Sequence, residues 1–129
     1  MTVLVDTHVI LWWWSEPTRL SEAAGGLLES PETVVLVSPV SAYEILWKNQ
    51  LGKLELPDSI TGDFADCIRE ERWRILDVTL RHASVAGTLS WDHRDPFDRL
   101  LAAQAIDESV TLMTCDPAIA ALPELKTIW

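Results

Sequence analysis

Short runs of β-branched and aliphatic residues recur along this chain, and each is followed by a stretch with helical character. TVLVD, Thr2–Asp6, is apolar up to its final acid, which suits a strand buried on both faces whose last residue emerges beyond the sheet. A helix is expected from Thr7, with VILWWW apolar all round and Ser15-Glu16-Pro17 ending it. Ser21 is positioned to cap a short helix running through Leu28. TVVLV, Thr33–Val37, reads as a second strand. The next helix opens at Ser38-Pro39 or Ser41 and closes at Gly52. A helix over 61–73, a strand over 74–78 and a helix over 79–89 continue the alternation. Asp95-Pro96 then supplies a cap and a first-turn proline for DRLLAAQAIDE. Val110–Met113 forms a fourth strand, Asp116-Pro117 starts another short helix, and 126–129 forms a last edge strand. Strands alternating with helices imply an α/β fold with a central parallel sheet of four or five strands, covered on both faces.

Composition sets the boundaries of this reading. With 129 residues, 48% hydrophobic and 23% charged, the chain fits one globular domain, residues 1–129, and not a disordered one. The longest uninterrupted apolar run, Val9–Trp14, covers six residues, against the roughly 18–20 needed to span a bilayer. MTVLVD has no basic region of the secretory kind, so the expected compartment is the cytoplasm. Cys67 and Cys115 are too far apart for a CxxC pair and read as reduced thiols. A formal charge of -10 opposes loose attraction to polyanions, so any nucleic acid must be met locally.

In open parallel sheets, ligands bind beyond the carboxyl ends of the strands. Here those positions are acidic: Asp6 closes the first strand, Glu44 lies within two turns of the second, Asp98 sits at the third position of the helix capped by Asp95, and Asp116 follows the fourth strand. Two carboxylates about 4 Å apart repel by roughly 4 kcal/mol at an effective dielectric of about 20, so a cluster of them calls for protons or cations. Oxygen-only donors favour hard ions such as Mg²⁺ or Mn²⁺.

VDTHVILW at Val5–Trp12, SAYEILWK at Ser41–Lys48, RDPFDRLLAAQA at Arg94–Ala105 and TLMTCDP at Thr111–Pro117 together resemble, in order and spacing, the PIN-domain ribonucleases, particularly VapC-type toxins of toxin-antitoxin pairs. The resemblance implies a three-layer α/β/α sandwich, an acidic site for Mg²⁺ or Mn²⁺, endonucleolytic RNA cleavage and a cognate antitoxin. It implies Asp6, Glu44, Asp98 and Asp116 as metal-site and catalytic acids, with Thr114 a polar neighbour. In that reading Asp6 and Asp98 hold the principal ion, Glu44 positions the water or a second ion, and Asp116 acts directly or through water. Asp95 competes in the third motif but fits helix capping better. Cys115 has no assigned role.

Other features have plainer readings. His8, His82 and His93 lack ligand spacing and read as surface or capping residues. Lys48, Arg94 and Arg99 suit either an RNA backbone or ion pairs with nearby acids. Arg69, Arg72 and Arg74 fit a solvated face. Trp12, Trp13 and Trp14 spread over about 200° of a helix, so at least one is expected to meet a partner, in the first place a second copy in a homodimer, then an antitoxin helix or a stacked base, whereas Tyr43, Ile45, Leu46 and Trp47 read as packing residues. Two rival functions follow from the same pattern. One is a catalytically silent binding module; the other is a metal-dependent phosphatase, against which DTH in place of DxD and the lack of an early acidic pair before Asp77 both count.

Overall fold

The computed structural model covers residues 1–129 and contains a five-stranded, wholly parallel sheet. Its elements are β1 (Thr2–Val5), α1 (Thr7–Ser15), α2 (Glu22–Glu29), β2 (Val34–Val37), α3 (Pro39–Gln50), α4 (Asp58–Gly62), α5 (Phe64–Glu70), β3 (Arg74–Ile75), α6 (Leu80–Thr88), α7 (Pro96–Asp107), β4 (Thr111–Met113), α8 (Pro117–Ala120) and β5 (Thr127–Ile128). The strands lie in the order β3-β2-β1-β4-β5. The chain builds outward on one side of β1, then crosses back to build on the other. That reversal leaves a crevice beyond the carboxyl ends of β1 and β4.

Side-chain alternation along the strands creates the layers. Val3, Val5, Val35 and Val37 face one core with Val9, Ile10, Leu28, Ile45 and Ile68. Leu4 and Leu112 face the other, with Leu101, Ala102, Ala105, Ile119 and Leu122. Because the period is two, β1, β2 and β4 each serve both cores, which is why their runs are largely apolar. The parallel register sets Leu4 beside Leu36 and Leu112, and Val5 beside Met113. One step further, the Asp6 amide donates to the Met113 carbonyl at 3.0 Å, which brings Asp6 alongside Thr114.

Local caps fix the helix starts. Ser21 Oγ accepts from Ala24 N at 3.0 Å and Ser38 Oγ from Val40 N at 3.1 Å, selecting Ser38 over Ser41 as the cap of α3. Gly52, at φ 74°, takes the left-handed position just past that helix, where a side chain would be strained. The single helix expected over 61–73 is instead α4 and α5, broken at Asp63, whose side chain accepts from Asp66 N at 2.9 Å. The strand expected over 74–78 contracts to two residues.

The tryptophan run finds neighbours within the chain. Trp12 packs on His8 and Trp129, with the Arg19 guanidinium 4.3 Å above its ring. Trp13 meets Trp73, while Trp14 lies against Phe64 and Trp73 and donates to Glu71 Oε1 at 3.2 Å. The exposed aromatics are elsewhere. Tyr43 is 61% and Trp47 49% exposed on α3, so these two lie at the surface, Tyr43 resting on Phe97, and of the four residues read as packing only Ile45 is fully buried. No helix is long and apolar enough to cross a membrane.

Candidate metal centre

Asp6, Glu44, Asp98 and Asp116, from four separate stretches of chain, line one cleft of about 230 Å³ at the carboxyl edge of the sheet. Asp95 lines it as well, and Lys48 is the one lysine or arginine facing it. The crevice left by the sheet reversal is therefore walled chiefly by carboxylates.

Asp6 is the most constrained. It is 4% exposed; its Oδ1 accepts from Thr7 N and its Oδ2 from Thr114 Oγ1, both at 2.7 Å. Thr114 Oγ1 also accepts from Asp116 N at 3.1 Å, so one hydroxyl ties together the ends of β1 and β4. Thr7 and Ser41 hydroxyls meet at 3.0 Å, joining α1 to the first turn of α3 beneath the cleft. Burial pushes the Asp6 carboxyl up from its ordinary range, opposed by His8 and by the hydrogen bonds from Thr114 and Thr7, and Glu44 adds to the rise.

Glu44 is 6% exposed and reaches the cleft from the second turn of α3, where Lys48 Nζ donates to it at 2.8 Å. The two are one helical turn apart, so they share a face. Asp98 stands in the first turn of α7, whose N-terminus is capped by Asp95 Oδ1 accepting from Phe97 N at 2.9 Å. Burial raises the Asp98 carboxyl to about 6, with Asp95 and Asp6 adding repulsion and the His93 hydrogen bond opposing them. Asp116 caps α8, accepting from Ala118 N at 2.9 Å through Oδ1.

Two histidines read as surface or capping residues lie instead against site acids. His93 Nε2 is hydrogen-bonded to Asp98 Oδ2 at 2.7 Å, and that bond raises the histidine's proton affinity against the opposing effect of burial. His8 Nδ1 lies 3.3 Å from Asp6 Oδ2. Burial lowers its proton affinity more than Asp6 raises it. A DTH tripeptide places His8 on the turn after Asp6, which was a readable signal. His93 lies in a loop before α7, and no periodicity pointed to it. The ion-pair alternative for Arg99 needs correction, because Arg99 pairs with no acid. Its guanidinium donates to the carbonyls of Ala86, Leu89, Trp91 and His93 at 2.7–3.1 Å, bracing the loop that carries His93.

A second group of ligand-type side chains, His82, Asp107 and Glu108, lies at the far end of α7. His82 is fully buried and does act as a cap, since its Nδ1 accepts from Thr79 N at 3.1 Å. The ring proton is therefore on Nε2, 2.9 Å from Glu108 Oε1. That nitrogen has no lone pair for a cation, and the trio serves as a tie between α6 and α7.

A family model described as PIN domain matches residues 3–125. Ribonuclease VapC22 of Mycobacterium tuberculosis is 32% identical over 131 residues, spanning 99% of this chain and 98% of that protein. Among solved structures, VapBC2 from Rickettsia felis bound to a promoter DNA fragment aligns with a TM-score of 0.76 at 17% identity, over 100% of this chain and 99% of that one. DNA-bound VapBC from Salmonella typhimurium gives 0.70 at 13%, over 99% and 97%, and FitAcB from Neisseria gonorrhoeae 0.67 at 21%, over 98% and 96%. At these identities the structural likenesses speak to the α/β/α fold, while the family model and the sequence relative extend along nearly the whole chain. The chain belongs to the PIN domain family.

Proposed function

We propose that this chain is a divalent-metal-dependent endoribonuclease and the toxin half of a toxin-antitoxin pair, with residues 1–129 acting as one catalytic domain in the cytoplasm. The observation that carries the reading is the meeting of Asp6, Glu44, Asp98 and Asp116 in one cleft. Their chemistry fits a hard cation: the donors are all oxygens, two of the acids are nearly buried, and Asp98 keeps its proton up to about 6 chiefly because burial penalises its charge, with Asp95 and Asp6 adding repulsion. Such a set matches Mg²⁺ or Mn²⁺. Ribonuclease VapC22, similar along its whole length, supports RNA as the substrate.

When bound, a divalent cation supplies Lewis acidity, making water a better nucleophile and neutralising charge on the phosphoryl oxygens. The protein's part is to hold the donors. Thr114 and Thr7 fix both oxygens of Asp6, so that it presents one geometry. His93 and the first turn of α7 orient Asp98. Lys48 steadies Glu44 and offers the cleft's one ammonium to an incoming phosphate. The cleft's hydroxyl, Thr7, is engaged with Ser41, so the scissile P–O bond is assigned to attack by water and not by a side chain.

The partners belong to the same reading. Tyr43, Trp47 and Leu51, spaced four apart on α3 and about half exposed or more, support a homodimer through this face. The -10 charge suits a basic antitoxin, and the VapBC complexes among the structural relatives support such a partner. The test is partner-free protein incubated with total cellular RNA, with and without Mg²⁺ or Mn²⁺, followed by sequencing of new ends. Discrete metal-dependent cuts are expected; intact RNA at saturating metal would refute the assignment.

A further inference from the structure

The loop between α6 and α7 carries two aromatic rings beside the acidic cleft. Trp91 and His93 lie with ring centroids 4.7 Å apart and planes 31° from each other, and both wall an open hollow of about 480 Å³ that Ala118, Leu122 and Pro123 also line. The hollow adjoins the cleft at two points. His93 is bonded through Nε2 to Asp98 Oδ2 at 2.7 Å, and the Ala118 amide donates to Asp116 Oδ1 at 2.9 Å. Two of the four site acids are therefore in direct contact with its lining.

A chain of charge -10 whose cleft holds one ammonium draws little from attraction to phosphates, whereas a base stacks on an aromatic ring without needing a charge. Single-stranded RNA is read in this way, by splaying a base onto Trp or His and hydrogen-bonding its edge. Asp92 lines the same hollow, is exposed and engages no donor within the chain. A carboxylate only accepts, so it pairs best with the base edge that offers two adjacent donors, the N1–H and amino group of guanine. A second hollow, of about 490 Å³, shares Trp91, Asp92 and His93 and adds Arg94. Lys48 is engaged with Glu44 and Arg99 with four carbonyls. Arg94 is exposed and forms no ion pair, which leaves it free for a phosphate of the same strand.

We propose that residues 91–94 form a base-reading subsite of the cleft. A guanine flanking the scissile phosphate stacks on Trp91 and His93 and donates to the Asp92 carboxylate, while Arg94 holds a neighbouring phosphate. This deepens the ribonuclease reading and rests on it for RNA as the ligand.

Two measurements on the full chain test the subsite. Sequencing of new ends after cleavage of total RNA by the wild type should show guanine next to the cuts, preferred at least about fivefold, and Asp92→Asn should erase that preference; a ratio of this kind is not moved by lower stability alone. Fluorescence anisotropy of a labelled short oligouridylate, with and without one guanosine, then reads binding apart from cleavage in the Asp6→Asn background. The guanosine should tighten binding, and Asp92→Asn should remove the difference. Trp91→Leu should weaken both strands about tenfold while Trp91→Phe, which keeps a ring, largely restores them. Arg94→Gln should weaken both equally and lower the logarithmic salt dependence by about one. Equal binding of the two strands, a guanine preference that survives Asp92→Asn, or undiminished binding by Trp91→Leu overturns the subsite, and cuts made without base preference do so while leaving the nuclease reading standing. Guanine-dependent binding by a chain whose wild type never cuts RNA upholds the subsite and refutes the nuclease reading.

Discussion

Asp98 binds its proton more tightly in the folded chain, at about 6, than at the ordinary 3.8 of a free aspartate. Its contribution therefore favours folding as pH falls from about 6 toward 3.8, and the full cost of holding the ionised carboxyl among its neighbours is present above about 6. Two outcomes follow for the metal-free protein. Its melting temperature should rise as pH is lowered from 7.5 to 5, and Asp98→Asn should melt higher than the wild type at pH 7.5, with the order reversed by saturating Mn²⁺; differential scanning fluorimetry reads both. A cation must displace that proton, so Mn²⁺ affinity is expected to fall progressively below pH 6. Thr114 makes a different prediction. Thr114→Val removes the hydroxyl shared by Asp6 and the Asp116 amide, at a cost of about 1–3 kcal/mol in stability and about 10–100-fold in metal affinity or cleavage rate; unchanged values in denaturation and cleavage assays would show that the hydroxyl does not orient Asp6. At this scale the carboxylates were readable because each follows a strand or opens a helix. Their histidine neighbours were less so, since a contact such as His93 to Asp98 depends on how an irregular loop returns to the cleft.

That loop's path is a matter for whole elements. Residues between α6 and α7 have no helical or sheet partner for their carbonyls, and Arg99, reaching back from the second turn of α7, supplies donors to three of them, Leu89, Trp91 and His93, and to Ala86 at the end of α6. Arg99→Met should lower stability by on the order of 3 kcal/mol and loosen His93 with it, so that cleavage falls even where the protein remains folded; urea denaturation and the metal dependence of cleavage measure the two effects. The sequence pattern foresaw α7 well because Asp95, Pro96 and the alanine-leucine run act together at one helix start. It misjudged 61–73 because an apolar period can pass through a break that a single capping aspartate, Asp63, imposes. It shortened no strand in advance either: residues 76–78 have strand-like composition, but β3 is an edge strand paired only to β2, and Ile75 and Val78 stay exposed.

Across the whole molecule, the reversal of strand order at β1 is what turns four scattered acids into neighbours. It was inferable only as a class, since alternation implies a parallel sheet but leaves the order of its strands open. The same assembly exposes Tyr43, Trp47 and Leu51 along α3, a row that the helical period hides because Ile45 and Glu44 on the same helix point inward. Trp47→Glu should convert a dimer to a monomer in sedimentation velocity, and an unaltered sedimentation coefficient would contradict a homodimer through that face. The central claim is that the acids of β1, α3, α7 and β4's end act as one cation site, and calorimetric titration of Mn²⁺ into metal-free wild type, Asp6→Asn and Asp98→Asn addresses it most directly. The account predicts saturable binding by the wild type, weakened at least tenfold by either substitution; Mn²⁺ binding of equal strength in all three proteins would contradict it.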